Sequence, residues 1–155
     1  MNRDNSRRIS AIALPAALAC AFSASSQAGE WSANASATSN YIWRGLTQTE
    51  NEAAVQGGID FASDSGFYVG TWASNVNYGP SDVYSYEHDV YAGFAFDTGD
   101  ISWNVGYLYY NYDKEAEFDF GEVYIGMGIG NFSAQYNVLA NTEADEAPGQ
   151  DFGFG

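Results

Sequence analysis

The chain has 155 residues and a formal net charge of −15, with one cysteine, one histidine and 12 tyrosines. So acidic a chain repels nucleic acid and anionic lipid headgroups, and an aromatic content of 17% is too high for a typical disordered protein. The length fits one folded domain, and the negative charge argues against nucleic-acid binding.

The N-terminus has the order of a secretory signal peptide. Basic residues at positions 3, 7 and 8 precede an apolar stretch from Ile9 to Phe22, and small residues follow up to Ala28. The apolar stretch is too short for a transmembrane helix, so we predict a signal peptide at residues 1–28 that is cleaved after Ala28. A twin-arginine signal at Arg7-Arg8 and a lipid-modified Cys20 are the alternatives, and both match weaker patterns.

The mature chain, residues 29–155, has a more negative net charge than the precursor. It keeps two basic residues, Arg44 and Lys114, and every acidic residue except Asp4. It also loses Cys20 and therefore contains no disulfide. A field of this sign favours cationic partners.

Beyond residue 30, polar and apolar residues alternate in segments of about ten residues, separated by turn formers. This period predicts β-strands, and no window has the period of a long helix. The seven predicted strands are 31–44, 53–61, 67–76, 85–96, 101–112, 118–129 and 132–140.

The first predicted strand has a small apolar face with aromatic rings at its ends. Trp31, Tyr41 and Trp43 share this face with three alanines, while polar residues and Arg44 lie opposite. Such rings are typical of the aromatic girdles of a membrane β-strand. The faces of strand 67–76 stay unassigned, whereas the other strands sort into two faces.

The connections between the predicted strands alternate in length. Those at 45–52, 77–84, 113–117 and 141–151 are long and acidic, and those at 62–66, 97–100 and 130–131 are short. Bacterial outer-membrane barrels have long outer loops and short periplasmic turns. We therefore predict an all-β fold, an antiparallel up-and-down transmembrane β-barrel in the cell outer membrane. A soluble periplasmic β-sandwich is the alternative.

The predicted barrel is incomplete. Seven strands and the opening of an eighth at 151–155 do not close a sheet, because such barrels have even counts of about 8 strands or more. We expect the barrel domain of residues 29–155 to be truncated at its C-terminal end.

Several motifs also resemble one known family. They are Thr38–Thr49 (TSNYIWRGLTQT), Ala54–Asp60, Gly66–Val76, the set Glu87, Asp89, Tyr91 and Gly93, and Glu122–Tyr124. Over most of residues 31–140 the chain is similar to the TorF-type porins of proteobacteria. The resemblance implies an outer-membrane barrel with a transport role, brings no catalytic residues, and implies further strands beyond this chain.

The candidate functional residues form a charge network rather than a catalytic site. We expect Arg44 to pair with an inward carboxylate, namely Asp60, Glu87, Asp89 or Glu122, either in a constriction ring or as a structural ion pair. No cofactor is expected.

The remaining polar motifs, His88 and the acidic run 113–119, are interpreted as non-catalytic. His88 is interpreted as an interfacial residue, because its neighbours on the strand point the other way and no catalytic triad forms around it. The acidic run 113–119 lacks the spacing of a calcium loop and is interpreted as solvated. Neither motif predicts a metal site.

The sequence thus predicts a porin that passes small cationic or neutral solutes through an acidic lumen. Its expected partners are outer-membrane lipid, the barrel-assembly machinery and small solutes. The alternatives are a non-conducting barrel with a structural or loop-mediated binding role and a barrel enzyme acting on lipid.

Overall fold

The computed structural model describes residues 22–26, 29–80, 83–113 and 118–142, which form ten β-strands. Those ranges contain no helix, and hence none long and apolar enough to cross a membrane. The strands are β1 (Phe22–Ser26), β2 (Gly29–Thr38), β3 (Ile42–Trp43), β4 (Leu46–Thr47), β5 (Ala54–Ala62), β6 (Phe67–Asn75), β7 (Tyr86–Thr98), β8 (Ile101–Tyr112), β9 (Phe120–Ile129) and β10 (Phe132–Thr142).

Eight of these strands form one antiparallel sheet in the order β1-β2-β5-β6-β7-β8-β9-β10. Every strand of this sheet neighbours the next one along the chain, apart from the short β3–β4 hairpin inserted between β2 and β5. The predicted all-β, antiparallel, up-and-down arrangement is confirmed. The edges β1 and β10 do not pair with each other among the described residues, so closure into a barrel is not observed.

The N-terminal edge of the sheet lies inside the predicted signal peptide. β1 pairs with β2 from Phe22↔Ala33 to Ser26↔Gly29. Cleavage after Ala28 stays a prediction, and it would leave β2 as the edge strand. Residues 1–21, the C-terminal segment 143–155 with the predicted fourth loop and eighth strand, and most of the acidic run 113–119 lie outside the described residues.

The bounds of the strands show that the connections differ in length between the two ends of the sheet. Those at 39–53, 76–85 and 113–119 leave one end, called here the long-loop end, and those at 63–66, 99–100 and 130–131 leave the short-turn end. This is the predicted alternation.

The register fixes which residues share a face. Tyr68 on β6 pairs with Gly93, Gly93 pairs with Gly106, and Gly106 pairs with Tyr124. The Tyr68 hydroxyl contacts Asn104 and Tyr124, so these side chains lie on one surface, which we call the inner face. By alternation the opposite surface, the outer face, carries the exposed apolar side chains. They include Trp31, Val55, Ile59, Phe67, Val90, Phe94, Phe96, Val123, Ile125, Met127, Ile129, Phe132, Tyr136 and Val138.

The same register assigns the strand that the sequence left open. Phe67, Val69 and Ala73 of β6 lie on the outer face, whereas Tyr68 and Trp72 lie on the inner face. The alternation is hard to recognise in the sequence because both faces of this strand carry large rings.

The predicted first strand, 31–44, is wrong beyond Thr38, where β2 ends. The backbone N–H of Tyr41 donates to Thr49 Oγ1 at 3.1 Å, and the N–H of Gln48 donates to the Tyr41 carbonyl at 2.7 Å. These bonds fold the chain back on itself. Tyr41 and Trp43 consequently leave the outer face, and the girdle positions predicted for them are wrong.

Tyrosine rings on the inner face lie close to glycines of the neighbouring strand. A Cβ atom on Gly70 would lie 2.5 Å from the Tyr91 ring, and one on Gly93 would lie 2.5 Å from Cζ of Tyr68. Gly70 and Gly93 thus make room for rings, beyond the relief of strand curvature that their sequence pattern suggests.

Gly93→Ala should therefore destabilise the protein by about 1–3 kcal/mol, because the new methyl group overlaps both the Tyr68 ring, which has to move away from Asn104, and the backbone carbonyl oxygen of Val105. Gly126→Ala is the matched control, since the nearest atoms to its Cβ would be 3.7 Å away. Both changes remove the same backbone freedom from the unfolded chain. Urea unfolding followed by circular dichroism measures the difference, and equal effects would contradict the close packing of Tyr68 and Val105 against Gly93.

Candidate functional site

The connection 39–53 folds over the inner face at the long-loop end. Within it, β3 and β4 form a hairpin whose two turn residues, Arg44 and Gly45, have φ values of 46° and 85°. This turn geometry favours Asn-Gly, and an arginine in the left-handed region costs roughly 1–2 kcal/mol. The neighbouring loop holds the connection in place, because Asn77 donates its N–H to the Gln48 carbonyl at 2.8 Å.

The strained turn places Arg44 against Glu122 on β9. The two guanidinium nitrogens donate to the two carboxylate oxygens at 2.8 and 2.6 Å, a bidentate ion pair. The Glu122 side chain is 8% exposed and that of Arg44 is 31% exposed. The guanidinium also lies 4.2 Å from the centre of the Trp43 ring.

Glu87 on β7 is 2% exposed and is the most deeply buried carboxylate among the described residues. Tyr41 donates its hydroxyl to Oε1 at 2.8 Å and Tyr112 donates to Oε2 at 2.9 Å. Burial raises the pKa of the Tyr41 hydroxyl, and the Glu87 carboxylate raises this pKa further. Tyr41 therefore keeps its proton and acts as a donor that fastens the connection 39–53 to the sheet.

Asp89 lies two residues after Glu87 and shares its face, but it has a different environment. It is 7% exposed, and its Oδ1 atom has no hydrogen-bond partner among the described residues. The register places Trp72 on one side of Asp89 and Tyr110 on the other.

Asp60 also lies on the inner face but belongs to a different part of it. It is half-buried and accepts a hydrogen bond from the Tyr91 hydroxyl. Register pairs connect it through Gly70, Tyr91 and Leu108 to Glu122, four strands away, a separation of about 19 Å along a flat sheet.

The five residues of the predicted network therefore share one face without forming one ring. Arg44 contacts Glu122, and the hydroxyl of Tyr110 donates to Glu122 at 3.3 Å. Glu87 and Asp89 lie beside this pair at the long-loop end, whereas Asp60 lies apart.

Aromatic side chains bind the site together. Trp43 meets Tyr110 edge-on at 5.8 Å between ring centres, and Tyr110 stacks on Phe120 at 4.3 Å. Tyr41 meets Trp72 edge-on at 5.4 Å. The buried hydrophobic cluster of the described residues lies on this face and comprises Tyr41, Ala54, Val76, Tyr110 and Tyr112. Sequence reasoning missed Tyr41 and Trp43 as members, although the turn formers at 38–40 and 44–45 were a signal that the strand ends early.

His88 is on the outer face, where its Nε2 lies 2.7 Å from the Thr71 hydroxyl. Its neighbours Glu87 and Asp89 face the other way, which matches the interpretation of His88 as a residue separate from the carboxylates. Among the described residues, no three His, Cys, Asp or Glu side chains are grouped so that they could hold a metal ion.

At the rim of the long-loop end, Asp113 ties two connections together. It accepts backbone N–H bonds from Ser85 at 3.2 Å and from Tyr86 at 3.0 Å. Slight burial raises the pKa of Asp113, but these bonds and one from the Ser85 hydroxyl outweigh it, so the pKa lies below its ordinary value. Asp113 is thus an ionised anchor for the loop end.

Comparison with known families assigns the chain to one family. A family model described as "Bacterial protein of unknown function (Gcw_chp)" matches residues 22–151. The chain belongs to the Gcw_chp family. The match begins within the predicted signal peptide and covers every described strand of this Gcw_chp protein. No curated protein and no solved structure matches the chain.

Proposed function

We propose that this Gcw_chp protein forms the wall of an outer-membrane channel that passes small cationic or neutral solutes, as its resemblance to TorF-type porins implies. One observation supports this most. The two faces of the sheet have opposite chemistry, with exposed apolar side chains outside and the carboxylates Asp60, Glu87, Asp89 and Glu122 inside.

The outer face has the character of a lipid-facing surface. The described residues include no second sheet other than the β3–β4 hairpin, and that hairpin lies on the inner side. A soluble sandwich covers its apolar face with another sheet. A large contiguous apolar patch that stays exposed marks an interaction surface. Lipid is the partner that fits an apolar surface running across β2 and the strands β5 to β10.

Strand length and aromatic position support the same proposal. The strands β2 and β5 to β10 have 9 to 13 residues, and a tilted strand needs about 9–11 to cross the hydrocarbon core. The outer face gathers aromatic rings near the short-turn end, as an interfacial girdle does. These rings are Trp31, Phe61, Phe67, Phe94, Phe96, Trp103 and Phe132.

The proposal requires a closed sheet, because an open edge in lipid leaves backbone N–H and C=O groups without partners. Closure would have to come through strands outside the described residues. Export through the predicted signal peptide and insertion by the barrel-assembly machinery are parts of the same proposal.

Conductance of the full-length protein in a planar bilayer tests the channel. We expect steps of current and, under a KCl gradient, a reversal potential of the sign set by K⁺ permeation, because inner-face carboxylates concentrate cations. Glu87→Gln should reduce the preference for K⁺ over Cl⁻. Asp113→Asn, a change at the rim, should affect it less. An anion-selective current would refute the proposed selectivity.

A filled barrel that does not conduct is the second candidate, because the connection 39–53 occupies the inner face at the long-loop end. Replacing residues 42–47 by a Gly-Ser linker distinguishes the two in the same bilayer experiment. No current from the natural protein together with current from the linker variant would establish the filled barrel. No current from either folded protein would refute the channel.

A further inference from the structure

The inner face at the long-loop end has more carboxyl groups than basic groups. Glu87, Asp89 and Glu122 are all buried there, and Arg44 is the only lysine or arginine within the described ranges. Arg44 is already engaged with Glu122 through two hydrogen bonds. Buried charge is costly unless it is paired, so the remaining carboxylates need other compensation.

The two remaining carboxylates differ in how they are satisfied. Each oxygen of Glu87 accepts a tyrosine hydroxyl, from Tyr41 at 2.8 Å and from Tyr112 at 2.9 Å. Asp89 has an oxygen, Oδ1, that is buried and accepts no hydrogen bond from any described residue. A buried carboxylate oxygen without a donor is rare in folded proteins and calls for an explanation.

We propose that Asp89, with Glu87 beside it, is a binding subsite for a compact cation, either an alkali metal ion or the primary ammonium group of a solute. Residues two apart on a strand lie about 6–7 Å apart on the same face, so one cation between them interacts with both carboxylates. The register places Trp72 and Tyr110 next to Asp89 on the two adjoining strands. This inference rests on the proposed channel and adds to it a position at which the permeating cation binds.

Burial favours a small ligand. Asp89 is only 7% exposed, and Glu87, which accepts a hydrogen bond from the Tyr41 hydroxyl, is 2% exposed. A dehydrated K⁺ or Na⁺ ion or a methylammonium ion brings its charge closer to a carboxylate oxygen than choline does, because N-methyl groups surround the charge of choline. The choice of salt therefore becomes the probe.

The test measures heat unfolding of the full-length protein refolded in detergent micelles, in KCl, NaCl, methylammonium chloride or choline chloride at equal ionic strength. A ligand that binds only the folded state raises the midpoint, and a hundredfold excess over its dissociation constant should raise it by about 4 °C or more. We expect this rise in the compact salts relative to choline. A rise in KCl and NaCl alone would identify a metal-ion subsite, and a larger rise in methylammonium would identify an ammonium subsite.

Two variants make the result specific to Asp89. Asp89→Asn keeps the size of the side chain and should abolish the difference between salts, with a midpoint in choline above that of the natural protein. Asp97→Asn, an exposed position on the same strand, should keep the full response. Absence of a salt response in the natural protein would overturn the subsite and leave a proton as the compensating charge. A response that persists in Asp89→Asn, or is lost in Asp97→Asn, would overturn it as well.

The micelle experiment does not need a conducting pore, so the two proposals fail separately. A cation-dependent midpoint without bilayer current retains the subsite and refutes the channel. A cation-selective current that Asp89→Asn leaves unchanged, with no dependence of the midpoint on salt, retains the channel and refutes the subsite.

Discussion

Ile125→Arg should destabilise the protein in a lipid bilayer by about 2–4 kcal/mol, the usual effect of a basic residue on the lipid face near the bilayer midplane. Ile125 lies near the middle of β9 on the outer face and is 45% exposed. In the proposed membrane orientation, the arginine would have to leave water for hydrocarbon. Unfolding in guanidinium chloride from phospholipid vesicles, followed by tryptophan fluorescence, measures the change.

Gln135→Arg is the matched control on the adjoining strand. Gln135 pairs with Gly126, the residue after Ile125, so it lies on the inner face, and it is also exposed. Both positions are open to water in a soluble protein, and the two arginines would then have similarly small effects of under about 0.5 kcal/mol. A large loss for Ile125→Arg alone indicates lipid on the outer face. Equal tolerance of both would favour the soluble alternative.

The sequence predicted the strands and most of their faces because both depend on local order. A strand places successive side chains on opposite faces, so the alternation of polar and apolar residues carries the fold directly. β7 to β9 show this clearly, with Val90, Val123 and Ile125 outside and Glu87 and Glu122 inside. The alternating connection lengths likewise needed only the order of the segments.

The ambiguity of β6 has a physical cause. Its inner face carries Tyr68 and Trp72, which are as large and apolar as the residues opposite. Tyr68 lies over Gly93 of the next strand, and Trp72 meets the Tyr41 ring. A periodicity measured within one strand does not reveal what a neighbouring strand or a loop supplies as cover.

The inner-face contacts were harder still, because they join positions far apart in the chain. The sequence suggested that Arg44 meets a carboxylate, but it could not choose among four candidates. The choice of Glu122 depends on the left-handed turn at Arg44, which takes the chain off the line of β2 and back over the sheet. The unsatisfied oxygen of Asp89 follows from the same fold and has no counterpart in the sequence pattern.

Arg44→Asn should destabilise the protein by about 2 kcal/mol and increase its preference for cations. Removing one partner from a buried ion pair costs about 3–5 kcal/mol, and the partial exposure of Arg44 reduces this. Asparagine is chosen because it adopts a positive φ readily and Asn-Gly suits the turn, so the backbone strain is relieved rather than added. The remaining loss of unfolding free energy therefore measures the cost of leaving the Glu122 carboxylate buried without its cation. Urea unfolding and the KCl reversal potential measure the two effects.

A double-mutant cycle separates the ion pair from the other contacts of the Arg44 side chain. Glu122→Gln removes the charge that needs compensation, so the double variant Arg44→Asn/Glu122→Gln should recover stability relative to Arg44→Asn alone, with a coupling energy of about 1–2 kcal/mol. Arg44→Lys retains the charge without the paired geometry and should fall between the natural protein and Arg44→Asn. If the two losses are simply additive, the pair does not hold the connection 39–53 on the sheet, and the Tyr41 hydrogen bond to Glu87 has to hold it instead.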